Sequence, residues 1–322
     1  MLYQFLRKMN NKCLYCYETV NTGADFHEKC CREFFGIPVP PELPYSYDQM
    51  ADLAKKVVEQ RVTVPGVQSK LSMSLVKETQ ENSGTRLTVV GALGGNYILK
   101  PPSVLFHEMP ANEHVTMRIA EAFGIRVVPS SLIRLKSGEL SYLSRRIDRA
   151  ESGEKIHMLD MFQITEAFDK YKSSMEKVGR ALHNYSDNPL LDKVFYLELG
   201  LFCFLTGNND MHLKNFSMIE TGSGWVLSPA YDLLNVALLI PTDTEELALT
   251  LDGKKKKLQR EHFEKLGKAM ELTDKQTHGV FRRMTKNKPS AMHWIDKSFL
   301  SDEMKADYRK LVEARYRQLK LG

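Results

Sequence analysis

No apolar run in the chain reaches the roughly 18 residues that a helix needs to cross a bilayer. The longest candidate, residues 194–205, stops at 12 and carries Glu198. A membrane-spanning helical protein is therefore excluded. The first twelve residues hold Arg7, Lys8 and Lys12 but neither the apolar core nor the small-residue cleavage site of a secretory leader. These two absences lead us to expect a cytoplasmic protein with no membrane partner. A distributed basic face is also missing. The net charge is +5, and the run Lys254, Lys255, Lys256, Lys257 supplies four of those charges. Such a run after Gly253 reads as a solvated turn, not as a nucleic-acid surface. There are no internal repeats. What is present is 43% hydrophobic and 26% charged residues over 322 positions, enough to bury a core and to form two or more lobes, which excludes disordered and fibrous classes.

Cysteine is scarce after residue 31, where only Cys203 remains, inside the apolar run and expected as core packing. The other four are Cys13, Cys16, Cys30 and Cys31. Cys13 and Cys16 form one close pair, and His27 and Cys30 a second after a short loop. Two such pairs can converge on a tetrahedral zinc ion, whose preferred donors are thiolate and imidazole. In a reducing compartment this spacing favours metal over disulfide. Cys31, next to Cys30, leaves the fourth ligand open.

Residues 38–44 contain four prolines and read as a linker. An apolar helical face follows over residues 48–60, then strands over 71–76, 86–91 and 96–100. A helix over 111–123 leads to strands over 127–135 and 139–145. From Met158 the pattern turns mostly helical, centred on an apolar helix over 192–205. The division is a Cys-rich module (1–40), a β-rich part (41–165) and a helical part (166–322).

The sharpest chemical signal follows that apolar helix. Residues 206–217 include Asn208, Asn209, Asp210, His212, Lys214, Asn215 and Ser217. A polar run emerging from a core must satisfy its own polar groups, so it has a purpose beyond connection. Asp210 and Asn215 have the spacing of a kinase catalytic loop, in which the Asp accepts a hydroxyl proton and the Asn holds magnesium. Seventeen residues on, Asp232 follows the strand-like residues 225–227, where a kinase keeps its metal-binding Asp. Lys100 ends a strand at Pro101 and offers a cation for the phosphates of ATP. Gly66, within residues 63–70, could let backbone N–H groups approach phosphate, although the segment matches neither a Walker A loop nor Gly-x-Gly-x-x-Gly. Arg145, Arg146 and Arg149 around Asp148 read as a solvated strand end.

Together, residues 63–70, 98–101, 112–113, 144–149, 160–163, 207–217 and 230–232 resemble the HipA-like serine/threonine kinases, which include toxin kinases of bacterial toxin–antitoxin operons. The resemblance implies an α+β, bilobal protein-kinase-like fold with a β-rich N-lobe and an α-helical C-lobe, here preceded by a small Cys-rich, zinc-knuckle-like module. It implies ATP and Mg²⁺. Lys100, with Gly66, Gln68 and Lys70, would lie on the phosphates, and Asp160 in the hinge-like nucleotide segment. Asp210 would be the catalytic base, with Asn215 and Asp232 on the metal. His212 and Lys214 would shape the loop or neutralise phosphate charge. Thr63, or its neighbour Ser69, would be an autophosphorylation site.

Two features depart from the family. The chain resembles a short form lacking the β-rich N-terminal subdomain, which a separately encoded partner could supply, and Leu159 stands where members often carry Glu. The implied partners are a protein substrate with a Ser or Thr acceptor and an antitoxin, with DNA reached only through the antitoxin. Two other readings stay open: a small-molecule or lipid-headgroup kinase, and an inactive kinase-fold adaptor or corepressor.

Overall fold

The computed structural model describes residues 11–59, 70–77, 84–90, 94–103, 105–150 and 152–321. The chain divides into two units, Met1–His114 with Val128–Gly153, and Val115–Val127 with Glu154–Gly322. Among the described residues no helix is long and apolar enough to cross a membrane.

The first unit opens with helices α1 (Glu28–Phe35) and α2 (Tyr47–Glu59). Strands β1 (Leu71–Lys77), β2 (Thr85–Val89) and β3 (Tyr97–Lys100) follow, then helix α3 (Met109–Ala122), which runs on into the second unit, and strands β4 (Ser130–Arg134) and β5 (Leu140–Arg145). The strands form one antiparallel sheet in the order β2-β1-β3-β5-β4. Its register places Leu71 opposite Leu99 and Leu99 opposite Leu143, a fully buried cross-strand row. Side chains alternate along a strand, so Lys100 faces away from that row. It is nevertheless buried, so its charge needs a partner.

The expected strand over 127–135 is shorter at its start, because Val127 instead bridges in parallel to Ala230 within the second unit. The proline segment is not a free linker. The Glu42 amide donates to Thr85 O at 2.9 Å and Glu42 O accepts from the Leu87 amide at 2.8 Å. Leu43 is buried. A proline-rich stretch suits a sheet edge because the missing N–H groups cost nothing on the outer side, and it covers the open edge of β2. The Cys-rich segment is likewise built into the unit. Phe34 and Phe35 of α1 stack on Tyr97, the Leu132 amide donates to Leu14 O, and Arg134 Nε donates to Asp25 Oδ1 at 2.8 Å.

The second unit starts with β6 (Met158–Asp160) and the short helix α4 (Met161–Ile164), followed by α5 (Met175–Tyr185) and α6 (Pro189–Thr206). Strands β7 (Ser217–Thr221) and β8 (Gly224–Leu227) complete a three-stranded antiparallel sheet in the order β6-β7-β8. Helices α7 (Val236–Leu239), α8 (Arg260–Ala269), α9 (Asp274–Lys297) and α10 (Asp302–Gln318) close the unit. Helix α6 is predominantly apolar and buried from Tyr196 to Thr206, as a helix at the centre of a unit must be. It packs against α5, α8, α9 and α10. Pro189 in its first turn lacks only an N–H that would have no intrahelical partner there, so the helix begins one turn before the expected Asp192. Phe202 meets Phe123, and Phe204 meets Phe263, both edge-on. Cys203 is core packing as expected, and the buried Glu198 is held by Arg283 Nε at 2.6 Å.

Phe202→Ala should therefore lower unfolding free energy by about 3–5 kcal/mol in urea titrations. A loss below about 1 kcal/mol would contradict the central place of α6.

Candidate active site

Helix α6 stops at Gly207, whose backbone is left-handed (φ 74) and whose amide donates back to Phe204 O. A Cβ there would lie 2.7 Å from Asn235 Oδ1, so glycine is required on both counts. The chain then turns through Asn208, Asn209 and Asp210 into a 3₁₀ turn, Leu213–Asn215, and enters β7.

Asn208 is fully buried and links two parts of the site. Its Oδ1 accepts from the Asp210 amide at 3.3 Å and its Nδ2 donates to Asp232 O at 3.2 Å. Both predicted carboxylate positions are thus fixed by one side chain. Asn215 Nδ2 donates to Asp210 O at 3.0 Å, which ties the end of the loop back to Asp210. Asp232 lies in the left-handed region (φ 60), a conformation that Asp tolerates better than most residues but which still strains the backbone.

The Asp210 carboxylate accepts from the Tyr171 hydroxyl at 2.8 Å. Burial and the neighbouring Asp210 charge push the Tyr171 hydroxyl well above its ordinary pKa, so it remains a donor. His212 is buried, with Lys170 Nζ at 2.9 Å from its Nε2 and the Tyr171 ring edge-on at 5.0 Å. Burial holds the imidazole below its ordinary pKa; Asp210 opposes this and Lys170 reinforces it. A neutral His212 can accept from the Lys170 ammonium. Lys214 is exposed, its Nζ 4.8 Å from the Phe162 ring. Tyr231 shares a 2.5 Å hydrogen bond with Ser217 and donates to Lys214 O at 3.1 Å, fastening the 3₁₀ turn to the segment that carries Asp232. The Asp160 carboxylate caps α4 by accepting from the Gln163 amide at 2.8 Å, in a reciprocal capping box.

In the first unit Lys100 meets Glu113 of α3. Its Nζ donates to Glu113 Oε1 at 2.5 Å, with both side chains buried, and lies 5.3 Å from the centre of the Tyr142 ring. Lys70 is exposed immediately before β1. Thr63, Gly66, Gln68 and Ser69 lie outside the described residues. The arginine cluster is not a solvated strand end. Arg146 grips Asp148 through two hydrogen bonds of 2.8 and 2.6 Å, Arg149 adds a third, and both guanidinium groups are largely buried. Burial alone would raise the Asp148 pKa, but Arg146 and Arg149 outweigh it and hold the carboxyl below its usual range.

In the same unit the ligand atoms of Cys13, Cys16, His27 and Cys30 converge within 4.8 Å of one another, and this cluster could hold a metal ion. His27 Nδ1 faces Cys16 Sγ at 3.4 Å and Cys30 Sγ at 3.7 Å, while Nε2 lies 2.8 Å from Thr19 O. A proton on Nε2, donated to that carbonyl, leaves the Nδ1 lone pair for an ion, the arrangement that orients a ligating histidine. Cys31 lies outside the cluster. It is fully buried, and burial pushes its thiol up to about 11, so it packs as an apolar residue.

Sequence reasoning missed the structural roles of Glu113, Asn208, Tyr171 and Lys170. Glu113 stands in a helix that also carries Asn112, His114, Arg118 and Glu121, so no local pattern marked it as the buried partner of a lysine.

Residues 62–292 match the model of the HipA-like C-terminal domain. The chain belongs to that family. A Sinorhizobium fredii protein bearing a kinase name, Y4dM, is 30% identical over 74% of this chain and 60% of its own length. The serine/threonine-protein kinase toxin HipA of Shewanella oneidensis is 26% identical over 60% of this chain and 47% of its own length. The chain thus spans about half to three-fifths of these curated relatives. Among solved structures, the complex of Shewanella oneidensis HipA, HipB and operator DNA matches with a TM-score of 0.66 at 22% identity, covering 83% of this chain and 71% of that one. The Helicobacter pylori proinflammatory kinase CtkA matches with a TM-score of 0.52 at 14% identity, covering 77% of this chain and 93% of that one. The fold is therefore kinase-like, and the mixed helix-and-sheet architecture expected from the sequence is present.

Asn208→Ala should cost about 1–3 kcal/mol in chemical unfolding, because a buried amide and a buried carbonyl both lose a partner. An unchanged midpoint would mean that Asn208 does not tie the two loops together.

Proposed function

We propose that this chain is an ATP- and magnesium-dependent kinase that transfers the γ-phosphoryl group to a Ser or Thr hydroxyl of a protein. The observation that carries the reading is the buried Lys100–Glu113 pair between a strand and a helix. A lysine so held is the cation that kinases set against the α- and β-phosphates, and its pairing with a helix glutamate is a condition of activity. Gly66, Gln68 and Lys70 belong to the phosphate-approaching segment in this reading, and Asp160 to the nucleotide segment.

Asn215 and Asp232 offer an amide oxygen and a carboxylate, the hard donors that magnesium prefers. Magnesium held there would neutralise charge on the nucleotide's phosphates. Asp210 accepts or orients the proton of the acceptor hydroxyl. Tyr171 donates to Asp210 Oδ1, and a carboxylate has capacity to accept a further hydroxyl beside that bond. His212, buried and bonded to Lys170, keeps the loop in shape, whereas the exposed Lys214 is available to phosphate charge. Thr63 and Ser69 are the candidate autophosphorylation sites.

The toxin name of the Shewanella relative, and the HipB and operator DNA bound to its HipA, support a toxin-like role with an antitoxin as partner and DNA reached through it. The Cys13, Cys16, His27 and Cys30 cluster is read as a structural zinc centre, on the strength of its three thiols, one imidazole and the backbone-anchored His27.

Asp210→Asn should lower phosphoryl transfer by about 10²- to 10⁴-fold while sparing MgATP binding. Asp232→Asn should weaken MgATP binding itself, read as lost thermal stabilisation by MgATP. Wild-type transfer by the first variant, or undiminished stabilisation of the second, would contradict the assigned roles. Elemental analysis of protein purified without chelator should find about one zinc per chain. A value near zero in folded protein would reject the zinc centre.

A further inference from the structure

The cysteine cluster and the Lys100–Glu113 pair lie in the same unit and are joined through Tyr17 and His114. Tyr17 directly follows Cys16, and its backbone is left-handed (φ 64), which is unfavourable for a bulky side chain and persists only where the surroundings over-determine it. On the backbone side, the Tyr17 amide donates to Cys13 O at 3.0 Å and the Cys13 amide to Glu18 O at 2.8 Å, closing the Cys13–Cys16 turn. On the side-chain side, the ring is buried and its hydroxyl lies 2.8 Å from His114 Nδ1, with the two rings edge-on at 5.3 Å. This hydrogen bond spans 97 residues of sequence.

His114 immediately follows Glu113 on α3. Its Nε2 lies 3.3 Å from Ser130 O, so a proton there leaves Nδ1 to accept from the Tyr17 hydroxyl. The His114 ring also lies 6.4 Å from the Tyr142 ring, and the centre of that ring is 5.3 Å from Lys100 Nζ. Two short routes therefore run from the turn to the ion pair, one through the backbone of α3 to Glu113 and one through Tyr142 to Lys100.

We infer that the metal-organised turn at Cys13–Cys16 positions the Lys100–Glu113 pair through Tyr17 and His114, so that occupancy of the metal centre sets the affinity for the phosphates of ATP. The inference rests on reading Lys100 as the phosphate cation and the cysteine cluster as a zinc site. Tyr17 and His114 are positioning residues that touch neither nucleotide nor metal. Without the ion the three thiols and the imidazole keep only the backbone hydrogen bonds and packing of the segment, and the left-handed turn at Tyr17 loses part of what enforces it. The Tyr17 hydroxyl then no longer fixes His114.

The test is calorimetric titration of the full chain with MgATP, which needs no turnover, together with zinc analysis of each sample. Tyr17→Phe removes a single hydroxyl. It should keep about one zinc per chain and raise Kd for MgATP about tenfold, a usual size for coupling between sites. Stripping zinc from the wild type with a zinc-selective chelator, removed before magnesium and ATP are added, should raise Kd to a similar degree. Stripping Tyr17→Phe should add less than about twofold, because the connection is already cut. His114→Asn, whose amide oxygen can stand in for Nδ1, should retain wild-type affinity, whereas His114→Leu should match Tyr17→Phe. A zinc-loaded Tyr17→Phe with wild-type Kd, or equal weakening of both proteins on stripping, would overturn the inference and leave the kinase reading standing. Folded wild type that holds no zinc would overturn the zinc reading and the inference with it, and folded wild type that binds no MgATP would overturn the kinase reading and the inference with it.

Discussion

The buried contact between Lys100 and Glu113 is a strong constraint on the first unit, because it ties a strand to a helix through two buried charges. Removing an ammonium and a carboxylate from water costs several kcal/mol per ion, recovered only when the two groups meet in good geometry with further partners around them. A strand end and a helix start must therefore be held in register to a fraction of an ångström. The apolar row Leu71, Leu99 and Leu143 fixes the strand, the Tyr142 ring lies beside the ammonium, and His114 ties the same helix turn to Tyr17. As a stability device such a pair is a poor choice, since apolar residues of similar volume often do as well or better. In the proposed function it serves instead to present a cation at a defined place, which is what binding of phosphate requires.

The second unit solves a different problem. A chain leaving the apolar helix α6 must expose carboxylates at a surface and still satisfy each backbone group it passes. Gly207 ends the helix, Asn208 holds the Asp210 amide and the Asp232 carbonyl, Asn215 takes the Asp210 carbonyl, and Tyr231 fastens the turn. Nearly every polar side chain of the segment is used for positioning, which leaves the Asp210 and Asp232 carboxylates as the groups to which the proposed function assigns chemistry. Tyr171, donating to Asp210 from a separate segment, helps to hold that carboxylate in place.

Much of this was legible in the sequence because the signals are local. The Asp210-to-Asn215 spacing, the two close ligand pairs around Cys13 and Cys30, and the strand formers ending in Lys100 are each contained within a few residues. The strands from Leu71 to Arg145 could be read from alternation, with end errors where a neighbour overrode the pattern, as Ala230 did at Val127. Side-chain bonds between distant residues could not be read. Tyr17 with His114, Tyr171 with Asp210 and Asn208 with Asp232 depend on tertiary placement that no periodicity encodes. The same holds for the proline segment, which has the composition of a linker yet lies along β2 because the sheet edge needed covering. It holds also for Arg146 and Arg149, where three hydrogen bonds to Asp148 make burial tolerable.

The most direct test of the central claim is transfer itself. Purified full-length chain should be incubated with γ-labelled ATP and magnesium, alone and with cell lysate, and the labelled sites mapped by mass spectrometry. The account predicts magnesium-dependent label on Ser or Thr residues of the chain or of a lysate protein. Label confined to a small molecule or a lipid, or no label from a folded protein that binds MgATP, would contradict it.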